Sequence, residues 1–328
     1  MSEVFFDELS MPEPDMHLNV GSASHAVQTA RIMEGFEKII LDFRPDLVMV
    51  PGDVNSTMAC ALTAAKEGIP VAHLEAGLRS FDRTMPEEIN RVVTDHISEM
   101  LFVTEKSGLV NLEREGISSE KIHFVGNTMI DTLVSLLPKA LQKWPVLSES
   151  LNLSAEGVRN KEYVLVTLHR PSNVDDPAVL KEIIDGLSRV AEEITVIFPV
   201  HPRTAEKINK LGMDNVSERL NLIGPLGYLE FLSLTAHASV VLTDSGGIQE
   251  ETTWLGVPCL TARLNTERPV TISKGTNRLI ESSSDTIFFE IRKVFKEGIS
   301  GSDKPELWDG KAAERIIEIL LSGAPVFR

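Results

Sequence analysis

The 328-residue chain has only two cysteines, Cys60 and Cys259, in segments that read as a helix and a strand. With no Cys-x-x-Cys and no His-rich tract nearby, the pair excludes a disulfide scaffold and is read as buried reduced thiols. Long apolar runs are also lacking, and none approaches the roughly 18 residues of a membrane span. The acidic start MSEVFFDELS has neither the basic nor the apolar region of a signal peptide, so the expected compartment is the cytoplasm. Nor is there an excess of basic charge. A formal net charge of −16 argues against nucleic acid or an anionic membrane as partner, so any anionic ligand needs a local positive site. No Gly-x-Gly-x-x-Gly follows a strand, which disfavours a nicotinamide or flavin cofactor. His73 and Glu75 share a strand face, but no third ligand stands at a telling spacing, and no metal site is expected. There is no repeat and no low-complexity segment.

What is present is a 42% hydrophobic, 24% charged chain, long enough for two soluble globular domains. Short apolar runs ending in turn residues alternate with amphipathic segments, the pattern of parallel βα units. In the first half the strands are expected at 47–51, 70–74, 100–104 and 122–126, with helices at about 24–43, 55–67, 86–97, 106–116 and 129–141. In the second half they fall at 163–168, 195–200, 220–224, 240–244, 258–262 and 278–280. Residues 144–162 lose periodicity and read as a domain boundary. The fold class is therefore α/β, with two doubly wound parallel-sheet domains in series and a ligand crevice at the carboxyl ends of the strands.

That edge sorts the polar residues. Asp53, Glu75, His169, His201 and the run Asp244-Ser245-Gly246-Gly247 each follow an apolar strand. One such residue is usually a helix cap or turn former, whereas five together favour a site. The stretch TDSGGIQEETTWLG is the sharpest signal: a strand enters Ser-Gly-Gly and then a helix, so backbone N–H groups and the helix dipole face a point the glycines leave open. This has the form of a phosphate or diphosphate cradle, although a capped helix after a tight turn fits about as well. Glu250 and Glu251 in the next turns suit either a ribose diol or the helix dipole. Pro86 opens a helix with Glu87 behind it, and the donor-rich loop 263–277 offers Arg263 and Arg268 either to an anion or to solvent.

Seven motifs together, PGDVNST, HLEAGLRSFDRTMPEEINR, TLHRPSNVD, PVHPRT, GPLGYLEFL, TDSGGIQEE and NTERPVTISKGTNRLI, resemble the non-hydrolysing UDP-N-acetylglucosamine 2-epimerases from about residue 3 to 323. The resemblance implies two Rossmann-like domains of the glycosyltransferase-B kind, at 1–158 and 159–328, with the last helix packing back on the first domain. It also implies a homodimer, a UDP-sugar in the interdomain cleft, and no metal or redox cofactor. It implies interconversion of UDP-GlcNAc and UDP-ManNAc through elimination of UDP to 2-acetamidoglucal and re-addition. Asp53, Glu75 and Glu87 match the acid/base carboxylates, and His169 the histidine near the diphosphate. Ser245, Gly246 and Gly247 match the diphosphate cradle, Glu251 the ribose contact and Phe231 the aromatic beside uracil. Arg170, His201 and Arg268 complete the substrate-binding set.

The family's first strand with its GTRPE-like loop, and the following GQH-like turn, have no counterpart here. The expectation is a first domain lacking its first βαβ unit, with the true start tens of residues upstream or a truncated copy. Three other functions stay open: a hydrolysing relative releasing ManNAc and UDP, a glycosyltransferase on the same fold, and a UDP-sugar-binding protein without turnover.

Overall fold

A computed structural model of the chain describes residues 11–153, 162–211, 219–298 and 303–322. They form two compact units: the first from Glu13–Asp131 and Glu306–Arg328, the second containing Thr132–Pro305. The expected start segment and the 158/159 boundary lie outside the described residues.

In the first unit, β1 (Val48–Pro51), β2 (Val71–Ala76), β3 (Met100–Val103) and β4 (Ile122–Phe124) pair in parallel, in the order β1-β2-β3-β4. All four positions of β3 are buried, as expected for a parallel strand covered on both faces, and this is why its sequence is an unbroken apolar run. Local chemistry sets the helix starts. Ser24 caps the helix His25–Phe43 by accepting from the Val27 N–H, and Pro86 supplies the preset φ that opens Pro86–Ile97. The helix Ala312–Leu321 belongs to this unit too: Ile316 packs with Ala72, Met100, Phe102 and Val125, and the Asp131 carboxylate accepts from the N–H groups of Ala312 and Ala313 at 3.1 and 2.7 Å.

The second unit holds β5 (Tyr163–Thr167), β6 (Thr195–Pro199), β7 (Leu220–Ile223), β8 (Val240–Thr243), β9 (Cys259–Ala262) and β10 (Asn277–Ile280). The sheet is all parallel in the order β10-β9-β8-β5-β6-β7. The chain winds outward from β5 in one direction and from β8 in the other, so the switch in winding lies between these neighbours. Val164, Val166, Val240 and Leu242 enter the core on one face, Tyr163, Leu165 and Val241 that on the other, which is the two-residue period of a strand.

Both cysteines are free, Cys259 fully buried and Cys60 partly so. One local reading is corrected: the aperiodic stretch after residue 143 contains a helix, Trp144–Ser150, held by Trp144 stacked on His237 at 3.9 Å between ring centroids. Seven residues make barely two turns, too few for a period to show.

Candidate functional site

In the first unit β1 runs into Gly52, whose φ of 66° suits glycine, and then Asp53. The Gly52 N–H donates to Leu74 O at 3.2 Å, which stitches this turn to β2. Glu75 does not follow the strand as its sequence suggests. It sits inside β2, where the register against β3 shifts between Leu74 and Ala76, and its φ is 67°. A non-glycine in this region costs about 1–3 kcal/mol, and such bulges redirect a side chain. Gly77 follows at φ 81°, and a Cβ there would stand 2.5 Å from the Gly108 carbonyl oxygen, so HLEAG needs its glycine for close approach of the helix Lys106–Arg114.

His73 lies one residue pair before Glu75 and is fully buried. Its Nδ1 is 2.6 Å from Asp95 Oδ1 and its Nε2 2.8 Å from the Gly52 carbonyl oxygen. Both partners are acceptors, so the ring donates at both nitrogens and carries a positive charge. Burial alone would push the imidazole below its ordinary range. The hydrogen bond and charge of Asp95, the Gly52 carbonyl and the Glu75 charge overcome it and hold the ring above that range. Asp95 is the mirror case: burial pushes up, but His73 and Arg79 hold it below the usual carboxylate range. Arg79 Nη1 lies 2.7 Å from Asp95 Oδ2, and the rest of the Arg79 fork grips Glu115 at 2.8 and 2.7 Å.

The loop after Gly77 is pinned from the helix Pro86–Ile97. Glu88 accepts from the Ser80 and Phe81 N–H groups, both at 2.9 Å, and from Arg91 at 2.7 Å. Arg91 also donates to Asp53 Oδ2 from Nε and Nη2, at 3.0 and 2.6 Å, and Asn90 donates to the Asp53 carbonyl. Glu87, by contrast, has no hydrogen bond or ion pair among the described residues. With Asp53 it lines a cavity of about 500 Å³ whose polar wall is His25, Gln28, Asn55 and Asn90.

In the second unit the ends of β5 and β8 meet at the switch in winding. Asp244, fully buried after β8, accepts from the N–H groups of His169 and Arg170 and from Asn173 Nδ2 at 3.0 Å. Burial pushes its carboxyl up, but His169, Asn173 and the Arg170 N–H hold it low. His169 Nδ1 faces Asp244 Oδ1 at 3.0 Å, so Nδ1 donates and Nε2 is left on an exposed ring. Ser245 makes no side-chain cap to the helix Gly246–Leu255, and the first N–H groups of that helix lack intrahelical partners.

The second unit also corrects two readings of the sequence. Space at Gly246 is not open: a Cβ would collide with the Arg268 guanidinium and come within 2.9 Å of Glu267 Oε1. Arg263 and Arg268 are not solvated loop arginines either. Both are buried against Glu267, at 2.8 and 2.6 Å, and Arg268 also pairs with Glu250 at 2.8 Å. Glu251 differs from its neighbour. Tyr228 donates to its Oε1 at 3.0 Å, its Oε2 is buried with no hydrogen-bond partner in the described residues, and burial pushes its carboxyl up to about 7 against the opposing Tyr228 bond. Phe231 is half-buried against the core that contains Tyr163 and Leu165. His201 is an exposed N-cap, its Nδ1 accepting from the Arg203 N–H at 3.3 Å.

Thus Asp53, Glu75 and Glu87 lie in the first unit, and His169, Arg170, His201, Phe231, Ser245–Gly247, Glu251 and Arg268 in the second. Asp95, Arg79, Glu115, Asn173 and Glu267 did not stand out in the sequence. The first had a signal, because Glu88, Arg91 and Asp95 repeat at i, i+3 and i+7, the spacing of an inward helix face.

The profile of the family described as UDP-N-acetylglucosamine 2-epimerase matches residues 1–321. The chain belongs to that family. It is 43% identical over 325 residues to a UDP-N-acetylglucosamine 2-epimerase of Methanococcus maripaludis, covering 98% of this chain and 87% of the relative. A UDP-2,3-diacetamido-2,3-dideoxy-D-glucuronate 2-epimerase of Pseudomonas aeruginosa is 38% identical, with 98% and 87% covered. The crystal structure of Methanocaldococcus jannaschii UDP-GlcNAc 2-epimerase in complex with UDP-GlcNAc and UDP superposes with a TM-score of 0.86 at 42% identity, covering 98% of this chain and 88% of that one. This epimerase family is one of isomerases, and the two parallel α/β sheets read from the sequence are those of its fold. Among the described residues no helix is long and apolar enough to cross a membrane.

Proposed function

We propose that the protein interconverts UDP-N-acetylglucosamine and UDP-N-acetylmannosamine by eliminating and re-adding UDP. The family match through residue 321 carries this reading. The C2 hydrogen of the sugar is not adjacent to a carbonyl, so simple deprotonation is too slow to serve. Elimination avoids the difficulty: a carboxylate removes the C2 proton, the C1–O bond breaks, its electron pair leaves on UDP, and C1=C2 forms in 2-acetamidoglucal. A second carboxyl then protonates the opposite face of C2 while the UDP oxygen adds back to C1. Nothing is oxidised and no water is consumed.

Asp53, Glu75 and Glu87 are the carboxylates for this work. Their support is the pairing of Asp53 with Arg91, the bulge that sets Glu75, and the unpartnered Glu87 beside Asp53 in one cavity. In the second unit His169 stabilises the charge growing on the leaving diphosphate: Nδ1 donates to Asp244, and in the imidazolium form of the ring Nε2 donates to the diphosphate. The helix start at Ser245–Gly247 takes the diphosphate, with Arg170, His201 and Arg268 as basic neighbours, Glu251 takes the ribose hydroxyls, and Phe231 lies beside the uracil. Binding at these remote groups retains UDP and the glycal between the two half-reactions. The resemblance further supports a homodimer, which sedimentation would check.

The test is to incubate the full chain with UDP-GlcNAc and separate the products. UDP-ManNAc rising to a fixed ratio with no accumulation of UDP is expected, whereas stoichiometric UDP with free ManNAc would make it the hydrolysing relative. Turnover of the diacetamido-uronate substrate alone would move the protein to the specificity of the Pseudomonas relative.

A further inference from the structure

We propose that His73 is a positioning residue for the acid/base carboxylates: a buried imidazolium that clamps the Gly52–Asp53 turn to the helix Pro86–Ile97 and places a fixed positive charge beside Glu75. This rests on the epimerase reading for its effect on turnover, though not for its geometry.

The ring bridges the turn and the helix, since it donates to Gly52 O from Nε2 and to Asp95 from Nδ1. Through Gly52 it holds the peptide that leads into Asp53, whose carboxylate is gripped from the same helix by Arg91. Through Asp95 it joins the Arg79–Glu115 pair, and Asp95 Oδ2 also accepts from the Gly77 N–H at 3.1 Å, just past Glu75. Glu75 stands two residues on from His73 along β2, and its Oε1 lies 4.0 Å from where a Gly52 Cβ would be. The clamp therefore touches all three elements that carry the carboxylates: the turn of Asp53, the strand of Glu75 and the helix of Glu87. The charged groups around it are Asp95 from the helix, Glu75 from its own strand, and Arg79 with Glu115 behind Asp95; Asp53 and Arg91 form the next pair along the turn. Without the imidazolium, Arg79 is one positive group against the three negative ones Asp95, Glu75 and Glu115, so a neutral ring would raise the proton affinity of Glu75.

Asp95→Asn separates charge from shape. Its amide oxygen can still accept from Gly77 and Arg79, and its Nδ2 can donate to Nδ1 of a neutral His73 that keeps its bond to Gly52. His73→Gln keeps a donor towards Gly52 but no charge. Nitrogen-15 NMR of the imidazole in the full chain at pH 8 should show both His73 nitrogens protonated, and a single proton in Asp95→Asn. Both variants should lose at least 100-fold in kcat while KM for UDP-GlcNAc stays within threefold, and the acidic limb of the kcat/KM profile of Asp95→Asn should move to higher pH. A singly protonated wild-type ring overturns the proposal whatever the activity, as do variants within twofold of wild-type kcat or with an unmoved acidic limb. A doubly protonated ring in a wild-type protein that forms no UDP-ManNAc overturns the epimerase reading and leaves the clamp standing.

Discussion

Asp95 in the first unit and Glu251 in the second are both about as buried as a carboxyl can be, at 1% and 2% exposure, yet they are driven in opposite directions. Asp95 meets an imidazolium and a guanidinium and is held low, whereas Glu251 meets one hydroxyl and is pushed up to about 7. Burial raises both, so the partners decide the sign. The contrast separates two kinds of work. Asp95 is locked into pairs that fix geometry, and Glu251 is kept short of partners, as a group awaiting a ligand's donors would be.

The largest expected break in this comparison is functional. Asp53→Asn or Glu75→Gln should lower kcat by about 10³-fold, within the range of lost general acid/base catalysis, while UDP still raises the melting temperature of the protein as much as in wild type. Loss of UDP protection in those variants would dissolve the division of labour between the units.

Next comes pH. Because the folded pKa of Glu251 lies above its ordinary 4.5, its contribution to stability is complete below about 4.5 and is lost as pH rises through about 7. The loss is on the order of 3 kcal/mol at about 1.4 kcal/mol per pKa unit. Chemical denaturation between pH 4.5 and 8 should show this slope, and Glu251→Gln should flatten it. UDP affinity should run the other way, tightening as the carboxylate forms. His73, also raised, adds a loss at higher pH, beginning above its ordinary 6.5 and complete past its folded pKa; Asp95→Asn should remove that part, together with the acid-side loss of Asp95 itself below about 4, and leave the Glu251 slope in place.

A smaller break is Gly246→Ala. Its methyl must displace the Arg268 guanidinium, so about 1–3 kcal/mol of stability should go, as for other overpacked sites, with UDP affinity measured calorimetrically falling in step. Smallest is Tyr228→Phe, which removes one hydrogen bond worth about 1 kcal/mol. Since that bond opposes the rise of the Glu251 pKa, the midpoint of pH-dependent UDP binding should move upward.

Much of this architecture is legible in the residues. β3 and β8 are buried at every position, so their sequences, MLFV and VVLT, stand out as continuous runs, and the strand ends mark Asp53, His169 and Asp244 directly. The φ of 67° at Glu75 is not legible, because nothing in Leu-Glu-Ala asks for a left-handed residue; pairing of Gly52 with Leu74 and of Ala76 with Val103 imposes it. Charged residues at 88, 91 and 95 share one helix face by their spacing, but their charge makes it look like the wet side, and the contacts with Ser80, Asp53 and His73 show it to be inward. Glu267 reads as one more polar loop residue until the loop folds Arg268 over Gly246.

The central claim is that C2 of the sugar loses and regains a proton while UDP is retained. The direct test is to equilibrate UDP-GlcNAc with the protein in deuterated water and read C2 by NMR. The account predicts deuterium at C2 of both UDP-GlcNAc and UDP-ManNAc, at a rate lost in Glu75→Gln. UDP-ManNAc carrying only its original hydrogen at C2, or no change in UDP-GlcNAc at all, would contradict it.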